Sequence, residues 1–153
     1  GIAAGCDGQL RDLIGWPDGV TGQARLEHAL AVHGKKTSAV FSTAVALGAI
    51  SATGGEAGYL SVLCGRIAFR IGLIYQVHDD WNDFAEDRAN GRINVFDGQS
   101  TVAVLAAVRQ LTEALERDIE RLRDGAIAEV FRELAAHVAV GSTPASRYKL
   151  TVL

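Results

Sequence analysis

One segment constrains the fold of this chain more than any other. From Glu56 to about Phe84, apolar residues recur too often to lie on a single helix face; they are Leu60, Val62, Leu63, Ile67, Phe69, Ile71, Leu73, Ile74 and Val77. A helix that is apolar on more than one face must be covered by neighbours on several sides. The sequence therefore predicts an all-α fold, a helical array around one central helix.

The remaining sequence supplies helices to cover it. We predict flanking helices over about 1–15, 21–34, 37–51, 100–122 and 127–140, with Leu10, Leu13 and Ile14 at helical spacing in the first. The predicted breaks are the turn Pro17-Asp18-Gly19, His33-Gly34, Gly54-Gly55 and the polar loop 85–99. Thr21, Ser100 and Thr101 are expected as N-caps. Residues 1–140 then form one domain, and 141–153, which contain Pro144, form a loosely held tail.

Composition excludes several classes of protein. The chain has 153 residues, of which 48% are hydrophobic and 22% charged, so it can bury a core and is not disordered. A net charge of −3 gives no basic face, and we expect no nucleic-acid partner. Cys6 and Cys64 are too few for a disulfide framework and predict reduced thiols in a cytoplasmic protein. The uncharged segment 37–53 is rich in Ala, Ser, Thr and Gly, which predicts a buried helix and no transmembrane segment.

Three aspartates follow the apolar part of the central helix. On a helix, Asp79 and Asp83 lie one turn apart, Asp80 is three residues before Asp83, and Gln76 stands one turn earlier on that face. Like charges at this spacing destabilise a helix by about 0.2–0.5 kcal/mol, and a bound cation would reverse that effect. Ligands that are all oxygen suit Mg²⁺. On the pattern alone, solvated acids at a helix end explain it equally well.

Cations occur in two other places. Lys35-Lys36-Thr37 precedes an apolar helix, which places two charges and a hydroxyl near a predicted helix N-terminus, where anions are favoured. Arg92 lies in the polar loop after the aspartates. A lysine pair by itself is more often a solvated turn. Taken together, metal ligands and anion ligands in one helical chain are what binding a diphosphate requires.

Three stretches together resemble the trans-prenyltransferases, the polyprenyl or isoprenyl diphosphate synthases. GIAAGCDGQLRDL resembles the family's GQ-x-x-DL helix, and HGKKTSAVFSTAVALGAI resembles its KT-x-x-[LF] diphosphate-binding segment. GLIYQVHDDWNDF is similar to the second aspartate-rich motif, G-x-A-F-Q-x-x-D-D-x-x-D. The order and spacing of the three agree with the family over about residues 1–105.

The resemblance implies roles for nine residues. Mg²⁺ that bridges to an allylic diphosphate would be bound by Asp79, Asp80 and Asp83, and the diphosphate would be contacted by Lys36 and Arg92. The reacting region beside catalytic Lys36 would be lined by Thr37 and Gln76. A supporting wall would be formed by Gln9 and Asp12. The implied reaction is ionisation of the allylic diphosphate, attack by isopentenyl diphosphate on the cation, and loss of a proton. Metal and cations would stabilise the departing pyrophosphate.

The chain also departs from the family pattern. The family has a first aspartate-rich motif on a facing helix, and this sequence contains no other D-D-x-x-D. Asn94 stands where the family has an acid, and Gln99 where it has a lysine. We therefore expect the C-terminal half of an isoprenoid synthase-type fold, as a fragment, a split product or a subunit. The absence of methionine is compatible with the first two. A partner chain or segment would supply the first motif, so we expect a dimer or hetero-oligomer.

Other functions stay open at this point. A non-catalytic helical subunit that modulates a prenyltransferase partner is favoured by Asn94 and Gln99. A class I terpene cyclase also ionises allylic diphosphates with Mg²⁺, although the Lys36-Thr37 pair and Gln76 fit a transferase better; a plain helical adaptor fits least. Among the histidines, His78 is expected in packing or at the surface, since it points away from the acidic face. His28, His33 and His137 show no partner pattern.

Overall fold

The computed structural model describes residues 1–15, 19, 21–92 and 101–140. It contains six α-helices within those ranges: α1 (Ile2–Ile14), α2 (Gly22–His33), α3 (Ala39–Ala52), α4 (Tyr59–Ala89), α5 (Thr101–Glu120) and α6 (Gly125–Val140). One π-helical turn, Gly34–Ser38, joins α2 to α3 and is called the π turn below. No strand occurs in the described ranges, and the predicted all-α fold is confirmed.

Helix α4 is the centre of the fold, as its apolar faces predict. Its buried residues form two apolar clusters with the neighbouring helices. The first cluster joins α4 to α5 and α6 and includes Leu63, Ile67, Ile71, Leu115, Ile119 and Phe131. The second cluster joins α4 to α2 and α5 and consists of Leu26, Ala29, Val77, Val104 and Val108. Each large apolar side chain buried in this way stabilises the fold by about 1.5–3 kcal/mol. Because the second cluster lies beside the aspartates, it fixes the position of the acidic end of α4.

Two glycines let α3 and the π turn approach α4 closely. A Cβ atom at Gly72 would lie 3.1 Å from the Cα atom of Ser38, and one at Gly65 would lie 3.3 Å from the backbone oxygen of Ser42. Both distances are shorter than ordinary van der Waals contact. Gly72 therefore brings the π turn directly against the part of α4 that precedes the aspartates, and Gly65 does the same for α3 at an earlier part of the helix.

Helix α2 ends at His33, as predicted, but the predicted break in the chain at Gly34 is wrong. Gly34 has helical torsion angles, φ −56° and ψ −38°, and the chain continues without a break through the π turn into α3. A Cβ atom at Gly34 would lie 3.1 Å from the ring of Phe69, so this glycine serves close packing and not termination. The expected helix N-terminus at Lys35-Lys36 is therefore absent, and α3 begins at Ala39.

Other boundaries differ less. The central helix extends to Ala89 and so takes in the first five residues of the predicted loop 85–99; it ends at Asn90 and Gly91, whose φ is 67°. Gly54 and Gly55 stop α3 as predicted, with φ values of 78° and 96°. The predictions for Trp16 to Asp18, for Asn94, Gln99 and Ser100, and for the tail 141–153 fall outside the described residues.

A buried carboxylate joins α4 to α5. Asp118 is 2% exposed and accepts hydrogen bonds from Arg66 at 2.8 Å, Arg70 at 2.9 Å and Arg121 at 2.9 Å. Burial by itself raises the pKa of Asp118, but the hydrogen bond from Arg70 and the charges of Arg70 and Arg66 outweigh it and leave the pKa below its usual value. Asp118 therefore stays ionised inside the protein.

Several large apolar side chains remain exposed. On α1, Leu10, Leu13 and Ile14 all point to solvent, so their helical spacing does not mark a core face. The prediction of a buried helix over 37–53 is wrong, because none of the residues of α3 is fully buried although the helix contains no charged residue. By length and composition alone, α4 could cross a membrane, but 67% of its most apolar window is buried inside the protein. The exposed apolar surface therefore belongs mainly to α1 and α3.

Candidate active site

The site is built where α1 and α4 meet the π turn. Gly8 of α1 is buried, and a Cβ atom there would lie 2.7 Å from the Cα atom of Lys36 and closer still to its backbone nitrogen. Only glycine fits at this distance. The predicted GQ segment and the predicted KT segment are thus in backbone contact.

Helix α1 supplies carboxylates to both lysines of the π turn. Lys36 Nζ donates to Asp12 Oδ2 at 2.7 Å, which brings these two predicted site residues together. Lys35 Nζ donates to Asp7 Oδ2 at 2.6 Å, and Arg11 Nε lies 3.1 Å from the same oxygen. These hydrogen bonds from Lys35 and Arg11 lower the pKa of Asp7. The ion pairs hold the lysine side chains at the edge of the site.

A chain of hydrogen bonds leads from the π turn to the aspartates. Thr37 Oγ1 donates to Gln76 Oε1 at 2.7 Å. The amide nitrogen of Gln76 then donates to Asp80 Oδ1 at 3.0 Å and, at 3.4 Å, to Asp79 Oδ2. Gln76 is buried, so its orientation is fixed by these partners. Four of the predicted site residues are therefore joined in one network.

The aspartates repel one another. Burial raises the pKa of Asp79, and the negative charges of Asp83 and Asp80 raise it further, whereas the Gln76 amide and the Lys36 charge act in the opposite direction. The three acids and Lys36 are thus within electrostatic reach of each other. A cation bound among the carboxylates would remove this repulsion.

The donor set fits Mg²⁺ only as part of a larger coordination shell. In the ranges 1–15, 19, 21–92 and 101–140, no three His, Cys, Asp or Glu side chains converge as a ready metal site. Asp79, Asp80 and Asp83 nevertheless share one helix face and offer only oxygen ligands. Mg²⁺ in proteins usually takes one or two carboxylates, with water and substrate phosphates completing the shell. The residues present suit that type of binding and not a closed cage.

Within the described residues, Arg92 and Gln9 do not contact this network in the way that their predicted roles require. Arg92 forms ion pairs with Glu86 at 3.2 Å and Asp87 at 3.1 Å, which tie its guanidinium to the end of α4. Gln9 is exposed on α1 and makes no hydrogen bond within the described part of the chain. Diphosphate binding by Arg92 and a supporting role for Gln9 stay predictions.

Sequence reasoning missed His33. This residue is 3% exposed, and its Nε2 atom lies 2.8 Å from Asp80 Oδ2. The available signal was the spacing of four residues between His33 and Thr37, which places both on one helix face. His78 is buried, in keeping with a packing role, and burial lowers its pKa.

An aromatic pair lies beside the network. The rings of Phe41 on α3 and Tyr75 on α4 stack with centroids 6.3 Å apart, and the two residues are 39% and 40% exposed. Tyr75 directly precedes Gln76 in the chain. The polar network is therefore bordered by a partly exposed apolar surface.

The comparison with known families agrees with this arrangement. Residues 2–136 match the polyprenyl synthetase family. The chain belongs to the polyprenyl synthetase family. No curated protein and no solved structure matches the chain. The family match includes all nine predicted site residues and extends beyond the roughly 105 residues that the motifs cover. Prenyltransferases of isoprenoid biosynthesis make up this family, and they generally depend on Mg²⁺.

Proposed function

We propose that this chain is a trans-prenyltransferase domain that joins an allylic diphosphate to isopentenyl diphosphate. The observation that carries the proposal is the network in which the π turn unites the three motifs. Lys36 and Thr37 follow one another on that turn; Lys36 lies within electrostatic reach of Asp79, and Thr37 is bonded to Gln76. A cationic group and three carboxylates thus lie within electrostatic reach of one another.

Each side of the site has a separate role in this reaction. Lys36 binds the diphosphate of the allylic substrate and stabilises negative charge as the C–O bond breaks. Asp79, Asp80 and Asp83 supply oxygen ligands, and Mg²⁺ held there supplies the positive charge that the leaving pyrophosphate requires. Thr37 orients Gln76, whose amide donates to Asp80. Phe41 and Tyr75 offer an apolar border for the prenyl chain.

A second part of the proposal is that the site is completed by a partner chain or segment. Helix α3 is uncharged and has no fully buried residue, and Leu47 on it is 60% exposed. An exposed apolar surface of this kind usually marks an interaction site. We infer that the partner packs on α1 and α3 and brings the first aspartate-rich motif. The free thiols of Cys6 and Cys64 are compatible with the expected cytoplasmic location.

The proposal is tested by calorimetric titration of the chain with inorganic pyrophosphate, with and without Mg²⁺. We expect binding only with Mg²⁺, and we expect Asp79→Asn to abolish it. Glu116→Gln is the matched control, because it also removes one carboxylate but from the exposed face of α5. Equal binding with and without Mg²⁺, or equal loss in both variants, would refute the proposal.

Product analysis separates the related functions. The chain is mixed with a polypeptide that carries the first aspartate-rich motif and supplied with both diphosphates. Longer diphosphates indicate a transferase, and released hydrocarbons indicate a terpene cyclase. Product formation that is unchanged by Asp80→Ala would show that this chain only modulates its partner.

A further inference from the structure

The inference concerns His33, a buried histidine at the start of the π turn. Its side chain is 4% exposed, and its Nε2 atom lies 2.8 Å from Asp80 Oδ2. The contact is close, but its geometry is not that of a well-directed hydrogen bond. Within the described residues, neither ring nitrogen of His33 has a hydrogen-bond partner of good geometry.

A buried histidine with no well-formed hydrogen bond destabilises the folded protein, so its presence at this position calls for an explanation. A buried polar group without a hydrogen bond destabilises a protein by about 1–3 kcal/mol. The polar group that the structure places beside Nε2 is the carboxylate of Asp80. Hydrogen bonds at a reaction site are often poorly aligned without substrate and become well aligned when the ligand is bound.

Asp80 is held differently from the other two acids. One of its oxygens accepts from Gln76 Nε2 at 3.0 Å, and the other faces His33 Nε2. Among the residues that the structure describes, Asp79 has only the 3.4 Å hydrogen bond from Gln76. Asp83 is exposed and makes no hydrogen bond or ion pair within the described part of the chain. Of the three carboxylates, Asp80 is the one held through both oxygens.

The two contacts come from the same helical face. His33 and Thr37 are four residues apart, and both reach α4: His33 contacts Asp80 directly, and Thr37 acts through Gln76. Asp80 is therefore approached from that face through both of its carboxylate oxygens.

We propose that His33 is a positioning residue that orients Asp80 for cation binding. This inference deepens the proposed function and rests on it. His33 does not bind the metal or the substrate. Its Nε2 atom lies 2.8 Å from Asp80 Oδ2, and because the ring is buried it limits the orientations that this carboxylate can take. Asp80 therefore loses less side-chain freedom when a cation binds. Removing a partner of this kind typically weakens metal binding by about 10–100-fold.

The test measures cation binding without reference to activity. The full chain is titrated with Mn²⁺, and free Mn²⁺ is measured by electron paramagnetic resonance; calorimetry with Mg²⁺ and pyrophosphate follows. His33→Phe removes both ring nitrogens and keeps a buried ring. We expect its Mn²⁺ affinity to fall by about tenfold or more. His78→Phe is the matched control, since it replaces another buried histidine that has an unpartnered Nε2 atom; its affinity should stay near that of the wild type.

Two further variants, His33→Gln and His33→Asn, test the role of His33 even when His33→Phe does not fold. Each retains one amide nitrogen at the place of one ring nitrogen. The amide nitrogen of His33→Gln can occupy the place of Nε2, and that of His33→Asn only the place of Nδ1. We expect His33→Gln to bind Mn²⁺ nearly as the wild type does and His33→Asn to bind it several-fold more weakly. Equal affinities in the pair would overturn the positioning role.

A double variant identifies the group through which His33 acts. In an Asp80→Asn background, replacing His33 by Asn should change Mn²⁺ affinity little further, because the oriented carboxylate is already lost. Additive losses would contradict the proposal. If the wild type binds neither Mn²⁺ nor Mg²⁺-pyrophosphate, both the proposed function and this inference are refuted. If the wild type binds both and the His33 variants bind equally well, only this inference is refuted.

Discussion

Gly8→Ala should separate α1 from the π turn, because the new Cβ atom would lie 2.7 Å from both the Lys35 carbonyl carbon and the Lys36 Cα atom. The backbone of the π turn cannot rotate away as a side chain could, so a helix has to move. Forcing extra atoms into a packed contact of this kind costs about 1–3 kcal/mol. Alanine also favours a helix over glycine by about 0.5–1 kcal/mol, which partly offsets that cost.

Gly48→Ala provides the matched control for this prediction. Gly48 lies in α3, and a Cβ atom there would meet no atom within 4 Å. Both variants have the same gain in helix propensity, so the difference between their free energies of unfolding isolates the steric cost, about 1–3 kcal/mol. For a chain of this size, each kcal/mol corresponds to about 2–4 °C in the melting temperature.

The assay is urea denaturation of both variants, followed by calorimetric titration with Mg²⁺ and pyrophosphate. We expect Gly48→Ala to be more stable than the wild type and Gly8→Ala to be less stable. Gly8→Ala should also bind Mg²⁺-pyrophosphate more weakly, since displacement of α1 pulls Asp12 away from Lys36. A Gly8→Ala protein that is as stable as Gly48→Ala would refute the close contact between α1 and the π turn.

Three further predictions concern single side chains. The pKa of Asp79 is raised in the folded state, so its charge destabilises the folded state at pH values above that pKa. Asp79→Asn should therefore raise the melting temperature of the metal-free chain at pH 7. In the same scanning calorimetry, the variant should no longer be stabilised by Mg²⁺-pyrophosphate. The pKa of Asp118 lies below its ordinary 3.8, so the stability that its charge gives the folded state is complete above about pH 4 and is lost as the pH falls through the folded-state pKa. Asp118→Asn should lower the free energy of unfolding in urea by about 1.5–3 kcal/mol at pH 7. It should also make that free energy depend less on pH in acid. Thr37→Val removes the hydrogen bond to Gln76 and should cost about 1 kcal/mol in the same urea assay and weaken Mg²⁺-pyrophosphate binding in calorimetry; a variant with unchanged stability and binding would show that the bond is dispensable.

Periodicity was sufficient to predict the helices, because burial on several faces leaves a clear pattern in α4. It failed at Gly34, where the same residue type that ends helices instead permits contact with Phe69. Local sequence cannot distinguish these two uses of glycine, since the distinction depends on which helix lies opposite. The apolar spacing of Leu10 and Leu13 misled for a related reason: an apolar face can meet a partner as well as the chain's own core.

The candidate site was predictable where it depended on spacing along one helix. Gln76 and Asp80 are four residues apart, and the structure joins them by a hydrogen bond. The contact between His33 and Asp80 spans 47 positions and depends on the π turn, which leaves no simple periodic signal. Pairing of Lys36 with Asp12 likewise depends on the close approach that Gly8 permits.

The charges of the site account for why cation binding and diphosphate binding should be linked. Lys36 is already paired with Asp12, and Asp79, Asp80 and Asp83 add negative charge nearby, so carboxylates outnumber the available cations. A bare diphosphate would meet net repulsion there. Because Lys36 and Asp12 are both partly exposed, their ion pair contributes only about 0–1 kcal/mol and can be exchanged at little cost. On the proposed function, a cation that first neutralises the aspartates would remove the repulsion, and the diphosphate would then replace Asp12 as the partner of Lys36. The same carboxylates that weaken the metal-free fold would thus make diphosphate binding conditional on the metal.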